Sequence, residues 1–143
     1  MTTYQCGFSG GMGGALYNDI TKKGSRIVEL RVWHATLIDA IQLVSETPDG
    51  TIVEFPKRGG GGGTRAVFSL KADEYITGID GRYANMVDSL KIYTNKRESV
   101  RFGGAGGERD YRYKAPEGVE VVGFWGLSAE LLDAIGVIFR NRP

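Results

Sequence analysis

The 143-residue chain carries 18 basic and 17 acidic residues, a formal net charge of +1, so it offers no field to hold nucleic acid or an anionic membrane. One cysteine, Cys6, excludes an intrachain disulfide, and with a single histidine, His34, the chain lacks the soft ligands of a zinc site; no calcium-loop pattern is present either. Apolar content is ordinary and no stretch approaches the ~18 residues of a membrane span, but glycine, 22 of 143, stands at about twice its usual share.

In chain order, the opening residues Met1-Thr2-Thr3-Tyr4-Gln5 have neither the basic nor the apolar region of a signal peptide, so a cytoplasmic location is expected. The first glycine cluster, Gly10-Gly11-Met12-Gly13-Gly14, follows. Ile27–Trp33 and Asp39–Ser45 alternate apolar and polar residues and predict strands. A Pro48-Asp49-Gly50 turn leads to another strand at Thr51–Phe55. The second cluster runs from Gly59 through Gly63. Beyond it, strands are predicted at Ala66–Leu70, Tyr75–Ile79, Asp88–Thr94 and Ser99–Phe102. The third cluster is Gly103-Gly104-Ala105-Gly106-Gly107, with strands at Tyr111–Lys114, Val119–Phe124 and Asp133–Phe139 after it. Ser128–Ile135, with Ala, Glu and two Leu, favours a helix by propensity.

A threefold repeat organises these elements. The cluster ends, Gly14, Gly63 and Gly107, are 49 and 44 residues apart, and three aspartates, Asp39, Asp88 and Asp133, are 49 and 45 apart. From each cluster end to the next aspartate the distance is 25, 25 and 26 residues. Ile27–Asp39 aligns without gaps on Ile76–Asp88 and Val121–Asp133. Leu30, Ile79 and Phe124 then correspond, as do Ile41, Leu90 and Ile135, and Leu43, Ile92 and Val137. The last two sets lie two residues apart, the strand period. The repeat overrides the helical propensity of Ser128–Ile135, because its partners contain Thr36, Asn85 and Val87; a loop and then a strand are predicted there. Three units of about four strands, none able to bury its apolar face alone, make one all-β domain over residues 1–143. A β-prism of three sheets and a β-trefoil both satisfy this pattern, and the trefoil is disfavoured by the lack of a Gln-x-Trp repeat.

The sequence resembles the jacalin-related lectins. The resemblance is carried by Gly10-Gly11-Met12-Gly13-Gly14, Glu74-Tyr75-Ile76, Ser89-Leu90-Lys91-Ile92-Tyr93-Thr94-Asn95, Phe102-Gly103 and, most specifically, Val121-Val122-Gly123-Phe124-Trp125-Gly126 running into Leu132-Asp133-Ala134-Ile135-Gly136. It implies the β-prism of three four-stranded Greek-key sheets and metal-independent binding of mannose- or glucose-type glycans, with no cofactor. It also implies a site joining a glycine loop to a Gly-x-x-x-Asp loop. Carried over, the first site pairs Gly13 and Gly14 with Ala129, Glu130, Leu131, Leu132 and Asp133. By threefold equivalence, a second pairs Gly62 and Gly63 with Ala35, Leu37, Ile38 and Asp39. A third pairs Gly106 and Gly107 with Ala84, Met86, Val87 and Asp88. Alanine at 35, 84 and 129 departs from the family's glycine: at positive φ it would be strained, and otherwise it narrows the site.

The chemistry suits a sugar. An ionised carboxylate accepts at both oxygens, so one aspartate can hold two adjacent hydroxyls, while glycine lets backbone N–H groups approach. Such bonds exchange with water and net about 0.5–1.5 kcal/mol each, so several sites must act together for useful affinity. A homodimer or higher oligomer would add to that valency. Taken one at a time, the glycines read as bulges or turns and the aspartates as turn caps. His34 reads as a surface or half-buried side chain or as a wall of the second site, and Trp33 and Trp125 as core or edge residues. Lys57, Arg58 and Arg65 read as a solvated loop, with a preference for acidic glycans as the alternative. An enzyme is not expected, since single aspartates are spread over three equivalent places whereas a glycosidase needs two at one cleft. The competing function is a scaffolding domain on the same fold with weak or lost sugar binding, which the three alanines favour.

Overall fold

The computed structural model describes residues 2–143, all in strands, turns and loops. Thirteen strands form: β1 Thr3–Gly10, β2 Ala15–Ile20, β3 Arg26–His34, β4 Ile38–Glu46, β5 Ile52–Glu54, β6 Arg58–Gly59, β7 Thr64–Ser69, β8 Ile76–Tyr83, β9 Ser89–Thr94, β10 Phe102–Gly103, β11 Arg109–Lys114, β12 Val119–Ser128 and β13 Leu132–Asn141. They build three antiparallel sheets. The first has the order β1-β13-β12-β2, the second β5-β4-β3-β7 with β6 also on the β4 edge, and the third β10-β9-β8-β11. In the second and third sheets two central strands are flanked by the next in sequence and by the fourth, which is Greek-key order. The first sheet has the same order once β12 and β13 are counted before β1 and β2. It is therefore assembled from both ends of the chain, with β1 paired to β13 from Thr3↔Arg140 to Gly10↔Ala134.

The repeat register is the register of the core. Leu30, Ile79 and Phe124, then Ile41, Leu90 and Ile135, then Leu43, Ile92 and Val137, are all buried in one cluster shared by the three sheets. Each such side chain contributes about 1.5–3 kcal/mol by leaving water. No sheet covers its own inner face, so the three fold as a unit. The β-prism expectation therefore holds.

Several boundaries differ from the sequence reading. Strands β1 and β2 were not anticipated. In β2 only Tyr17 and Asp19 are buried, and β1 buries little beyond Ser9, so neither carries a run of apolar alternation. The strand expected at Thr51–Phe55 shortens to β5, and β6 resumes pairing with β4 at Ala40↔Gly59. The strand expected at Ser99–Phe102 reduces to β10 and an isolated bridge, Tyr93↔Glu98. Residues 129–131 form a bend before β13, so the helical propensity there is overruled by packing.

Candidate carbohydrate-binding site

Each glycine cluster begins and ends on a residue at positive φ. Gly10, Gly59 and Gly103 open the clusters at φ 142°, 132° and 90°; Gly14, Gly63 and Gly107 close them at 82°, 81° and 101°. These conformations disfavour any residue with a Cβ. The backbone so bent lies against the aspartate loop of its own sheet. Gly11 N–H donates to Asp133 O at 2.9 Å, Gly60 N–H to Asp39 O at 3.2 Å and Gly104 N–H to Asp88 O at 3.1 Å. Three copies of one bond, at matched register, fix each glycine loop beside its aspartate.

The carboxylates then face the ends of the clusters. A Cβ placed on Gly13 would begin 3.0 Å from Asp133 Oδ2; on Gly62, 2.7 Å from Asp39 Oδ2; on Gly106, 2.9 Å from Asp88 Oδ2. Glycine at these positions keeps the space next to the carboxylate clear. Asp133 is only 4 % exposed, and its Oδ1, like that of Asp39, is buried without a hydrogen-bond partner among the described residues. Burial raises the Asp133 carboxyl above the usual carboxylate range, partly offset by the Ala129 N–H. A desolvated acceptor facing a side-chain-free backbone is suited to polyhydroxy ligands, whose hydroxyls supply the donors.

The three aspartate loops meet at one end of the prism. Ile38 N–H donates to Val87 O and Val87 N–H to Leu132 O, both at 3.0 Å. The second residues of the clusters interlock with neighbouring loops: Gly11 abuts Asn85, Gly60 abuts Glu130 and Gly104 abuts Thr36. Ile38, Val87 and Leu132 are fully buried. The N–H groups of Ile38 and Val87 are already committed, so these two members of the expected sites hold the loops together and have no amide left for a ligand. Leu131, Leu37 and Met86 each accept from an alanine N–H three-residue turn: Ala129 to Leu131, Ala35 to Leu37 and Ala84 to Met86, all at 3.0 Å. No described residue other than glycine has positive φ, so Ala35, Ala84 and Ala129 are unstrained. Ala35, Ala129 and Glu130 are exposed at the rim.

The third site departs from the other two. A Cβ on Gly14 or Gly63 would lie 3.0 or 2.7 Å from an aspartate Oδ1, whereas on Gly107 it would meet Arg82 Cβ at 2.9 Å. Arg82 donates to Gly107 O at 2.9 Å and to Asp110 Oδ1 at 2.7 Å. Asp88 N–H is taken by Arg82 O at 2.9 Å, and Arg82 N–H is taken by Ser89 Oγ at 3.0 Å. Burial raises the Asp88 carboxyl, and the Arg82 charge opposes that rise. The sequence cause is local: Ser89 stands where the other copies have Ala40 and Ala134, and Arg82 where they have Trp33 and Leu127. Arg82 and Ser89 were not among the expected site residues; comparing the aligned copies at those two positions would have marked them. The outer face beside this site holds a cavity of about 560 Å³ bordered by Arg82, Arg101 and Arg112.

The remaining candidates are structural. His34 is half-buried, accepts from Gly103 N–H through Nδ1 at 2.9 Å and packs edge-on against Phe102, so it joins the second loop to the third cluster. Arg58 grips buried Asp19 with two hydrogen bonds, 2.8 Å from Nε and 2.5 Å from Nη2, and is not free for an acidic glycan. Lys57 sits 4.2 Å above the Trp33 ring, and Trp125 donates to Cys6 O at 3.0 Å.

Comparison with known proteins agrees with this fold. The model of the jacalin-like lectin domain matches residues 6–138. Horcolin from Hordeum vulgare is 33 % identical over 133 residues, covering 89 % of this chain and 90 % of that protein. The solved structure of a mannose-binding jacalin-related lectin from Ananas comosus superposes with a TM-score of 0.85 at 27 % identity, covering 97 % of this chain and 98 % of that one. Calystegia sepium agglutinin superposes at 0.88 with 25 % identity, covering 99 % of both chains, and its lectin has also been solved with a biantennary N-glycan. With the fold, the threefold glycine loops and the family model in agreement, the chain belongs to the jacalin-like lectin domain family.

Proposed function

We propose that this protein binds mannose- or glucose-type glycans without metal and without catalysis, at the end of the prism where the aspartate loops meet. The observation that carries the reading is Asp133: a nearly buried carboxylate with an unpartnered Oδ1, set against Gly13 and Gly14. Its two oxygens accept two neighbouring hydroxyls of a pyranose, and N–H groups of the loop and glycine strand supply the other bonds. Asp39 with Gly62 and Gly63 repeats the arrangement. Asp88 with Gly106 and Gly107 forms a third, weaker place, because Arg82 occupies the side of the loop that the other sites leave to the carboxylate. The mannose-binding lectin of Ananas comosus and the N-glycan complex of the Calystegia lectin support this class of ligand.

Relaxed alanines at 35, 84 and 129 remove the strain that would have favoured a scaffolding domain with lost sugar binding. The test is calorimetric titration with methyl α-mannoside, with and without EDTA, beside a glycan array. Saturable binding unaffected by the chelator is expected. Absence of any glycan binding by the folded protein would return the weight to a scaffolding role.

A further inference from the structure

The opposite end of the prism holds a cavity of about 300 Å³, bordered by Lys23, Ser25, Arg26, Tyr75, Glu120 and Arg140. From Ser128 beside the glycan loops to Glu120 beside this cavity, β12 runs eight residues, roughly 26 Å at about 3.3 Å each. The cavity is therefore separate from the sites above.

Arg140 is its unusual member. The residue is 7 % exposed and makes no direct hydrogen bond or ion pair with any described residue, although it lies within the field of Glu120. Ser25 is 9 % exposed, and its Oγ is buried without a partner. A mostly buried guanidinium is best held by an anion in direct hydrogen-bonded contact. The repeat shows what compensation looks like. Arg26 and Glu46 are cross-strand partners in the second sheet and bond at 3.2 Å. The aligned positions in the first sheet are Glu120 and Arg140, also cross-strand partners, with the charges exchanged. There the pair does not close; Glu120 lies instead 3.8 Å from Arg142. The other acids on the cavity wall are taken: Glu74 by Arg97 at 2.8 Å and Asp73 by Lys96 at 3.1 Å. Arg140 and Arg142 thus share the single carboxylate of Glu120, and Lys23 makes no ion pair among the described residues, so the cavity keeps an excess of positive charge beside a hydroxyl donor.

We infer that this cavity binds a small oxyanion, an organic carboxylate or a phosphate, held by the Arg140 guanidinium, the Ser25 hydroxyl and Lys23. Guanidinium presents parallel N–H donors that match either group, and both ligands share that chemistry. Two titrations distinguish them, one with sodium malonate and one with inorganic phosphate, each on the whole chain at matched ionic strength in chloride. One of the two is expected to bind saturably at one site per chain. Its affinity should fall about tenfold or more in Arg140→Met, the worth of one charge-assisted hydrogen-bonded contact, and about two- to fourfold in Lys23→Gln, whose exposed position leaves the fold intact. Methyl α-mannoside binding should be unchanged in both variants. Failure of the mannoside titration alone strikes the glycan reading and leaves this one standing. No saturable binding of either anion overturns the proposal, as does unchanged affinity in folded Arg140→Met. Should that variant not fold, unchanged affinity in Lys23→Gln overturns it.

Discussion

The first and third sites are copies of one unit, and they differ in what stands beside the aspartate. At the first, Asp133 faces Gly13 and Gly14. At the third, Arg82 closes on Gly107 O and the chain pinches where Ser89 takes the Arg82 N–H. The same fold, register and carboxylate thus give two electrostatic environments, set by two residues outside the glycine clusters. Repetition supplies the scaffold of a binding site, and the side chains flanking it decide how open that site is.

The largest expected effect separates the copies by their carboxylates. In Asp133→Asn an acceptor oxygen becomes an NH₂ donor, so two hydroxyls can no longer be accepted together. Titration with methyl α-mannoside should show a loss of about 1–3 kcal/mol at that site, the range of charged hydrogen bonds, and the double variant with Asp39→Asn should bind little monosaccharide. Asp88→Asn should change affinity least. An Asp88→Asn loss as large as that of Asp133→Asn would erase the distinction between the sites.

Much of this was legible in the sequence, for physical reasons that can be named. The near-constant spacing from Gly14, Gly63 and Gly107 to the next aspartate along the chain, 25, 25 and 26 residues, reflects one repeated unit, and the aligned core residues Leu30, Ile79 and Phe124 reflect a shared interior. Ser128–Ile135 read correctly only because the aligned copies outweighed propensity. Strands β1 and β2 were hidden, since edge strands with one or two buried side chains carry weak periodicity. The role of Ile38 and Val87 as ties between loops was hidden too, because it depends on which loops meet around the axis. Arg82 lies outside every motif, and its effect exists only when Gly107 is folded beside it.

A smaller effect is expected from the glycines. Gly14→Ala forces a side chain into a positive-φ position where its Cβ would sit 2.6 Å from Ser128 O and 3.0 Å from Asp133 Oδ1. It should cost about 1–3 kcal/mol of stability, the usual toll of such backbone strain, and weaken mannoside binding. Gly13→Ala, at a φ that alanine accepts, should weaken binding by crowding Oδ2 while leaving the melting temperature within a few degrees. Equal melting temperatures for the two variants would show that the bend at Gly14 is not what the loop requires.

The pH dependence should be gentler still. In the proposed site the sugar requires Asp133 ionised, and burial raises this carboxyl above its ordinary value. Affinity at the first site should therefore begin to fall, on acidification, at a pH above that of an ordinary aspartate. Stability of the free protein runs the opposite way: a raised native pKa means the folded state holds the proton more tightly, so Asp133 contributes stability at low pH that is lost as pH rises through the folded pKa. Binding isotherms and melting curves over the acid range check both signs. Affinity that holds constant until the range of an ordinary aspartate would show that the carboxylate is better solvated than its burial implies.

The smallest effect comes from Arg82→Leu, which installs the residue found at the aligned position of the first sheet, Leu127. The ion pair it removes, Arg82–Asp110, is half open to solvent, with Asp110 80 % exposed at the side chain. Such a pair is worth no more than about 1 kcal/mol, so the fold should hold. Removing the guanidinium releases Gly107 O and takes a cation from beside Asp88. Since that cation opposes the rise of the Asp88 carboxyl, its loss should lift the carboxyl further above the usual range, which can be followed by side-chain carboxyl NMR. The cleared loop should bind methyl α-mannoside a few-fold more tightly than in the parent. The change should vanish in Arg82→Leu/Asp88→Asn. If instead the third site weakens in Arg82→Leu, Arg82 is a ligand contact and not an obstruction, and the third site is a different kind of site from the first.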